Sequence, residues 1–253
     1  QIDLTPRLHA LLGVRVEDLG LVSTNNLTKG TTSLQGLVAT PRFGLLYDLT
    51  DTVSVYGNYA RSFRPNIGTD RSGRPFAFEE GEGYEAGAKV SLLDGRLDAT
   101  AALFEIRRSN VLSTDPVDPN FSVATGAIRS RGFDLTAAGY LAPGWRVIGT
   151  YTRVDAAVAR DNTLPVGTRI ANVPANSLAF QTVYEFQSGE LKGLGLGGGL
   201  DFVGRRAAVL VVRGRVVAAT PVADGASVFA EPLGTGVGVR GLRAGPAPHL
   251  GGC

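Results

Sequence analysis

Between residues 82 and 110 the chain reads EGYEAGAKVSLLDGRLDATAALFEIRRSN, with apolar side chains at every second position on either side of Asp94-Gly95. Side chains along a strand point alternately to two faces, so Tyr84, Ala86, Ala88, Val90 and Leu92 share one of them. Asp-Gly accepts the positive φ angles of a type I′ turn, the tightest link between antiparallel strands. The spacing therefore predicts a hairpin that pairs Leu92 with Leu97, Val90 with Ala99, Ala88 with Ala101 and Ala86 with Leu103 on one face. Ser91 with Asp98 and Lys89 with Thr100 pair on the other.

The same alternation recurs at 8–16, 37–47, 53–63, 133–141, 178–186 and 194–202, and less regularly near 96–107 and 145–157. About nine strands of roughly 10 to 13 residues precede residue 205, and no amphipathic helix is read. Alternation alone suits a soluble sandwich as well as a membrane barrel, because each keeps one apolar face. The connections separate the two. Short links at 48–51, 94–95, 142–144 and 187–193 alternate with long polar ones at 18–34, 64–82, 109–126 and 159–175. An up-and-down outer-membrane barrel has that asymmetry, with short turns on the periplasmic side and long loops outside. Tyr47, Tyr140, Trp145, Tyr184 and Phe186 gather beside the short turns, as an interfacial aromatic girdle does. The expected fold is all-β: an antiparallel up-and-down transmembrane barrel fragment, about nine strands of a larger barrel. Its Ala86, Ala88, Val90 and Leu92 face meets lipid, and Lys89 and Asp98 face an enclosed lumen.

Composition narrows the partners. The 25 Lys and Arg against 23 Asp and Glu leave a formal charge of +2, too little for a nucleic-acid surface. Cys253 is the sole cysteine, so no intrachain disulfide exists. Methionine is absent, and the first residues already read as a strand, which suggests a piece of a longer protein. No apolar run approaches the roughly 20 residues of a membrane helix, so any crossing is by strands.

Five segments taken in order resemble consecutive strands of TonB-dependent siderophore receptors: ATPRFGLLYDLTDTVSVYGNYARSFRPN (39–66), GEGYEAGAKVSLLDGRLDATAALFEIRRSNVLSTDP (81–116), GAIRSRGFDLTAAGYLAPGWRVIGTYTRVDA (126–156), RIANVPANSLAFQTVYEF (169–186) and GLGLGGGLDFVGRR (193–206). The resemblance runs from about residue 7 to 206. It implies part of a 22-stranded, plugged outer-membrane barrel of a Gram-negative bacterium. It also implies capture of a ferric siderophore outside the cell and its release inward, driven by the TonB complex. The family's N-terminal plug with its TonB box and its closing aromatic strand are not matched. A TonB-dependent cobalamin or haem receptor, a porin and a small barrel enzyme are the alternatives.

No catalytic constellation is read, and the chain is not expected to be an enzyme. GLGLGG at 193–198 has the form G-x-G-x-x-G, but Leu194, Leu196, Leu200 and Phe202 keep a two-residue period, so a glycine-rich strand is expected there. A serine nucleophile needs a histidine base, and only His9 and His249 exist. His9 falls on the polar face, as a lumenal or structural residue. The Glu79-Glu80-Gly81-Glu82 run reads as a solvated loop end, and no Cys/His cluster offers a metal site. No cofactor is expected, iron arriving only as its chelate. The candidate ligand-binding residues lie in RSFRPNIGTDRSGRPF: Arg61, Arg64, Arg71, Arg74 and Phe76. Guanidinium groups suit anionic catecholate or carboxylate chelates, and aromatic rings suit their planar groups. The same arginines could instead meet lipopolysaccharide phosphates or lumenal carboxylates.

The division expected is 1–206 as partial receptor barrel and 207–253 as a non-homologous tail. The tail lacks Tyr, Trp, Asn, Gln, Ile and Lys and is rich in Ala, Gly, Val, Arg and Pro. Its alternation in VLVVRGRVV is brief before Gly and Pro break it. A frameshift at or very near Arg206 is the expectation, with irregular coil or ill-defined strands beyond it and Cys253 and His249 without functional partners.

Overall fold

The computed structural model describes residues 1–24, 29–212, 215–222 and 225–233, and from residue 208 onward the backbone alone. The described elements are β1 (Ile2–Thr5), β2 (Leu8–Thr24), β3 (Thr31–Asp48), β4 (Val53–Arg64), β5 (Glu79–Leu92), β6 (Leu97–Thr114), β7 (Ser122–Ala142), β8 (Trp145–Arg160), β9 (Asn176–Glu185), β10 (Gly195–Val203), β11 (Arg206–Val212), β12 (Arg215–Val222) and β13 (Gly225–Leu233). From β1 to β10 each strand pairs antiparallel with the next, and β13 adds to the free edge of β10. β11 and β12 form a separate hairpin between them.

The hairpin read first is present in the expected register, from Leu92 opposite Leu97 to Ala86 opposite Leu103. Asp94 at φ 56° and Gly95 at φ 80° supply the two positive central angles of a type I′ turn, and Leu93 before them is also positive at 53°. The sheet then carries this two-faced pattern across six strands. One ladder row reads Tyr47, Val55, Ala88, Ala101, Leu135, Tyr151. One residue along, the row reads Asp48, Ser54, Lys89, Thr100, Thr136, Thr150. The first row is apolar and the second polar, because successive side chains take opposite faces.

The apolar face is not covered by other described parts of the chain. Leu12 is 61% exposed, Val14 67% and Leu103 67%. In water such a surface would be far beyond what a monomer tolerates. Its height explains it. Counting outward positions up from the short turns, each strand stays uncharged and then turns charged: Val53 to Tyr59 then Arg61, Leu92 to Tyr84 then Glu82, Leu97 to Leu103 then Glu105, Ala137 to Phe133 then Arg131, and Trp145 to Tyr151 then Arg153. From Leu92 to Tyr84 the chain rises about 26 Å at roughly 3.3 Å per residue, the scale of the apolar band of about 25 Å on an outer-membrane barrel. Tyr59 and Tyr84, with rings 5.0 Å apart, and Phe133 and Tyr151, at 5.7 Å, close the band above. Trp145, Tyr184 and Tyr47 stand beside the short turns below, and the Trp145 indole N–H donates to the Thr182 hydroxyl at 2.8 Å.

The inner face packs polar and aromatic groups over glycine. The Tyr56 ring lies across Gly87, where a Cβ would meet it at 2.8 Å and the Ala101 carbonyl at 2.6 Å. Lys89 stands 5.2 Å above the same ring.

Three readings change. Ten strands, not nine, precede residue 205: Ile2–Thr5 turns back at Pro6, where the Thr5 hydroxyl accepts the Leu8 N–H at 2.9 Å. The long link expected at 18–34 is mostly ladder, since Val22, Ser23 and Thr24 pair with Ser33, Thr32 and Thr31, and β-branched threonines suit a strand. The link expected at 109–126 likewise shrinks to 115–121. Beyond Arg206 the described backbone forms strands β11, β12 and β13, with β11 and β12 paired as a hairpin. Cys253 and His249 lie outside the described residues. GLGLGG, as expected, leads into strand β10.

In the intact parent protein, Ala88→Arg puts a charge on the apolar face at a cost of roughly 2 to 4 kcal/mol. It should lower the amount of heat-modifiable, assembled barrel in outer membranes. Lys89→Ala, one residue along, should assemble normally, because it loses one cation–π contact of about 0.5–1 kcal/mol. Equal assembly of the two would reverse the assignment of faces.

Candidate functional site

At the long-loop end, residues 65–78 connect β4 to β5 as a built structure. The Asp70 carboxylate accepts the N–H groups of Ser72 at 2.8 Å and Arg74 at 3.0 Å, an Asx turn that closes a small hairpin bridged at Thr69 and Pro75. Buried Asn66 fastens the base of the loop, its amide donating to the Ala77 carbonyl at 2.9 Å and the Asn110 carbonyl at 2.8 Å. The Asn110 amide in turn donates to the Phe78 carbonyl at 2.9 Å.

Beside this loop lies a cleft of about 390 Å³, whose walls are Asp70, Arg71, Ser72 and Arg74, Asp115 and Pro116 of the β6–β7 link, Val123 and Thr125 of β7, and Asn162. Asn162 gathers these segments, donating to the Ser113 hydroxyl, the Thr114 carbonyl and the Thr125 hydroxyl at 3.1, 3.0 and 3.2 Å. Asp115 is buried and accepts the Val117 N–H at 2.8 Å, while its other oxygen faces Arg71 Nε at 3.9 Å. That separation is too long for a hydrogen bond. Arg71 and Arg74 thus keep donors directed to solvent, with side chains 49% and 78% exposed.

The five candidate residues do not converge. Arg71 and Arg74 share the cleft. Arg61 stands on the outward face of β4, 2.7 Å from Glu80. Arg64 stands on the inward face, 2.7 Å from Glu79. Phe76 is buried, its ring 3.4 Å from where a Cβ on Gly68 would stand, so it supports the loop. Glu79 is no solvated loop end: it is 5% exposed and held between Arg64 and Arg108, at 2.7 and 2.5 Å. Residue order alone cannot show that pairing, because Arg108 comes from the neighbouring strand. Asn66, Asp115 and Asn162 were also missed, although Asp-Pro at 115 and Asp-Asn at 161 are turn signals that mark where backbone N–H groups need caps.

His9, on the polar face as expected, bonds Asp3 at 2.7 Å and Asp48 at 3.1 Å, and the Ser54 hydroxyl donates to Asp48 at 2.5 Å. The carboxylate stands between serine and histidine, so the imidazole does not take the Ser54 proton. The set ties together the short-turn ends of β1 to β4.

A meander with an apolar band of membrane height outside, polar groups inside and built loops at one end is a section of an outer-membrane transport barrel. The chain belongs to the TonB-dependent receptor family: the family described as "TonB dependent receptor-like, beta-barrel" matches residues 1–227. Its members are receptors and transporters of the Gram-negative outer membrane, not enzymes. The metal-pseudopaline receptor CntO of Pseudomonas aeruginosa is 43% identical over 213 residues, 82% of this chain and 30% of that protein. The ferripyoverdine receptor of the same species is 32% identical over 216 residues, 81% of this chain and 25% of that protein. The crystal structure of that outer-membrane receptor bound to ferripyoverdine superposes with a TM-score of 0.72 at 28% identity, over 90% of this chain and 30% of that one. The chain thus spans between a quarter and a third of the length of these relatives.

Asn66→Ala strands two carbonyls, and a loss near 1.4 kcal/mol should make trypsin cleavage after Arg71 about tenfold faster. Asp70 offers a pH test. Its carboxyl is held below the usual 3.8, first by the Arg74 N–H and then by the Ser72 N–H and the Arg74 charge, against partial desolvation. A depressed carboxyl stabilises the folded loop above its unfolded value and ceases to do so as pH falls through the folded one. Pepsin cleavage in this loop should therefore rise below about pH 4 relative to an Asp70→Asn variant, which has no carboxyl to titrate.

Proposed function

We propose that the parent protein captures a metal chelate, in the first instance a ferric siderophore, at the long-loop end of the barrel and delivers it inward with energy from the TonB complex. The observation that carries this is the family match over residues 1–227, joined to relatives whose names specify metal-chelate receptors. The cleft supports it, since Arg71, and Arg74 with only its Nε given to Asp70 at 3.2 Å, present guanidinium donors to an anionic chelate. Arg61 and Arg64 serve through the carboxylates they hold, and Phe76 through the loop it props. TonB would act through a plug joined to this barrel, and outer-membrane lipid, with lipopolysaccharide outside, would surround it.

One observation favours a second reading. The 43% identity to a receptor named for metal-pseudopaline, a name that does not specify iron, makes another metal's chelate a specific competitor. Growth of a strain deleted for the parent gene separates them: loss of growth on one ferric siderophore as sole iron source supports the first reading, and loss of uptake of another metal's chelate supports the second. With the purified receptor, Arg71→Ala with Arg74→Ala should weaken binding of that chelate about tenfold or more, since charge-assisted hydrogen bonds contribute about 1.5–3 kcal/mol each. Unchanged affinity would move the contact elsewhere in the loops.

The boundary at Arg206 remains a proposal that rests on composition. Translating the other two frames after codon 206 should yield a tyrosine-bearing strand with an aromatic terminus. If neither does, the segment that supplies β11 to β13 is authentic.

A further inference from the structure

Two carboxylates are buried at the long-loop end among the described residues, and they are not served alike. Glu79 has a guanidinium on each oxygen, Arg64 on Oε2 at 2.7 Å and Arg108 on Oε1 at 2.5 Å. Asp115, its side chain 6% exposed, has none within hydrogen-bond reach. Its Oδ1 accepts the Val117 N–H at 2.8 Å and, less closely, the Asp118 N–H at 3.4 Å. Its Oδ2 takes no hydrogen bond among the described residues and meets only Arg71 Nε, at 3.9 Å. A carboxylate taken out of water costs free energy unless a cation or hydrogen-bond donors meet it. Asp115 forms part of the wall of the cleft beside the 65–78 loop, so the cleft is the side from which a donor can arrive.

Other parts of the wall carry the opposite charge. Arg71 and Arg74 line the same cleft, and Arg74 gives only its Nε to Asp70, so the terminal nitrogens of both guanidinium groups have no partner among the described residues. Asn162, also in the wall, spends its amide N–H groups on Ser113, Thr114 and Thr125, and its Oδ1 takes no hydrogen bond among the described residues. A buried carboxylate oxygen and two cations thus face one volume of about 390 Å³. A wholly anionic group there would meet the arginines but set its charge beside Asp115, and a wholly cationic one would do the reverse. A group that carries an ammonium and a carboxylate a few ångströms apart answers both.

We propose that this cleft seats an α-amino acid group at one end of the chelate, its carboxylate on the terminal nitrogens of Arg71 and Arg74 and its ammonium on Asp115 Oδ2, with Asn162 Oδ1 as a further acceptor. Guanidinium groups hold a carboxylate through paired N–H donors, and an ammonium brings three donors that serve two acceptors at once. The loop that carries Arg71 and Arg74 is already fastened at its base by Asn66 and Asn110, so the charges stand in place before a ligand arrives. This seat rests on the chelate-receptor reading above and adds to it the class of ligand: one that is zwitterionic at the end entering the cleft.

The test uses the full-length receptor in detergent and titration calorimetry. The probe is a ferric trihydroxamate whose tail ends in a free α-amino acid, compared with forms acetylated at the amine, amidated at the carboxylate, or capped at both. Wild-type receptor should bind the free form at least about tenfold more tightly than either singly capped form. Asp115→Asn keeps the side-chain shape and the oxygen that caps Val117, and it should erase the advantage of the free amine while keeping that of the free carboxylate. Arg71→Gln with Arg74→Gln should do the converse. Heat-modifiable mobility shows that each variant is folded. Three results overturn the seat: amine capping that leaves wild-type affinity unchanged, equal weakening of all four forms by Asp115→Asn, which makes that carboxylate a loop cap alone, or no binding of any form. The reading beneath it fails by a different measurement. Tight binding of the doubly capped probe refutes the seat and keeps a chelate receptor, whereas a deletion strain that loses uptake of no metal chelate refutes the receptor reading itself.

Discussion

A backbone N–H or C=O left unpaired in hydrocarbon costs several kcal/mol, and everything else in this chain follows from meeting that demand with strands. The solution is a continuous antiparallel ladder from β1 to β10, in which each strand satisfies its neighbour. Because the ladder alternates faces at every residue, register becomes the decisive variable. A slip of one position would exchange the Tyr47, Val55, Ala88, Ala101, Leu135, Tyr151 row for the Asp48, Ser54, Lys89, Thr100, Thr136, Thr150 row and turn charge toward lipid.

The same demand relaxes above the band, where water returns, and there the chemistry changes. Strands β2, β3, β6 and β7 continue as ladder beyond the outer leaflet and carry threonine, serine and arginine. The links between them hold themselves together through side-chain caps: Asp70, Asp115, Asp118 and Asp161 each accept a backbone N–H two residues on. Glu79, buried between Arg64 and Arg108, welds the base of the loop to two strands. A rigid base under an open cleft suits the chelate capture proposed above, because no loop has to be ordered first and ordering subtracts from affinity.

The charge belt shows how one face serves two surroundings. Its carboxylates satisfy Arg61 on β4 and flank Arg107 on β6.

Much of this was written in the order of residues. The Asp94-Gly95 turn and its register, the identity of the outward face, and the long links after β4 and β8 depend on side chains within a few positions of each other, and local patterning carries them without three-dimensional knowledge. So does family membership, which rests on many segments at once. Tertiary structure decided what local pattern cannot carry: that Thr24 and Thr31 belong to strands, that Arg61 and Arg64 part to opposite faces, that Glu79 is buried, and that Asn162 gathers three segments. Each depends on which residue of a neighbouring strand lies alongside, often dozens of positions away, and the physical reason is plain. Alternation assigns a residue to a face, whereas a partner is set by register across the ladder, a property that no single strand possesses.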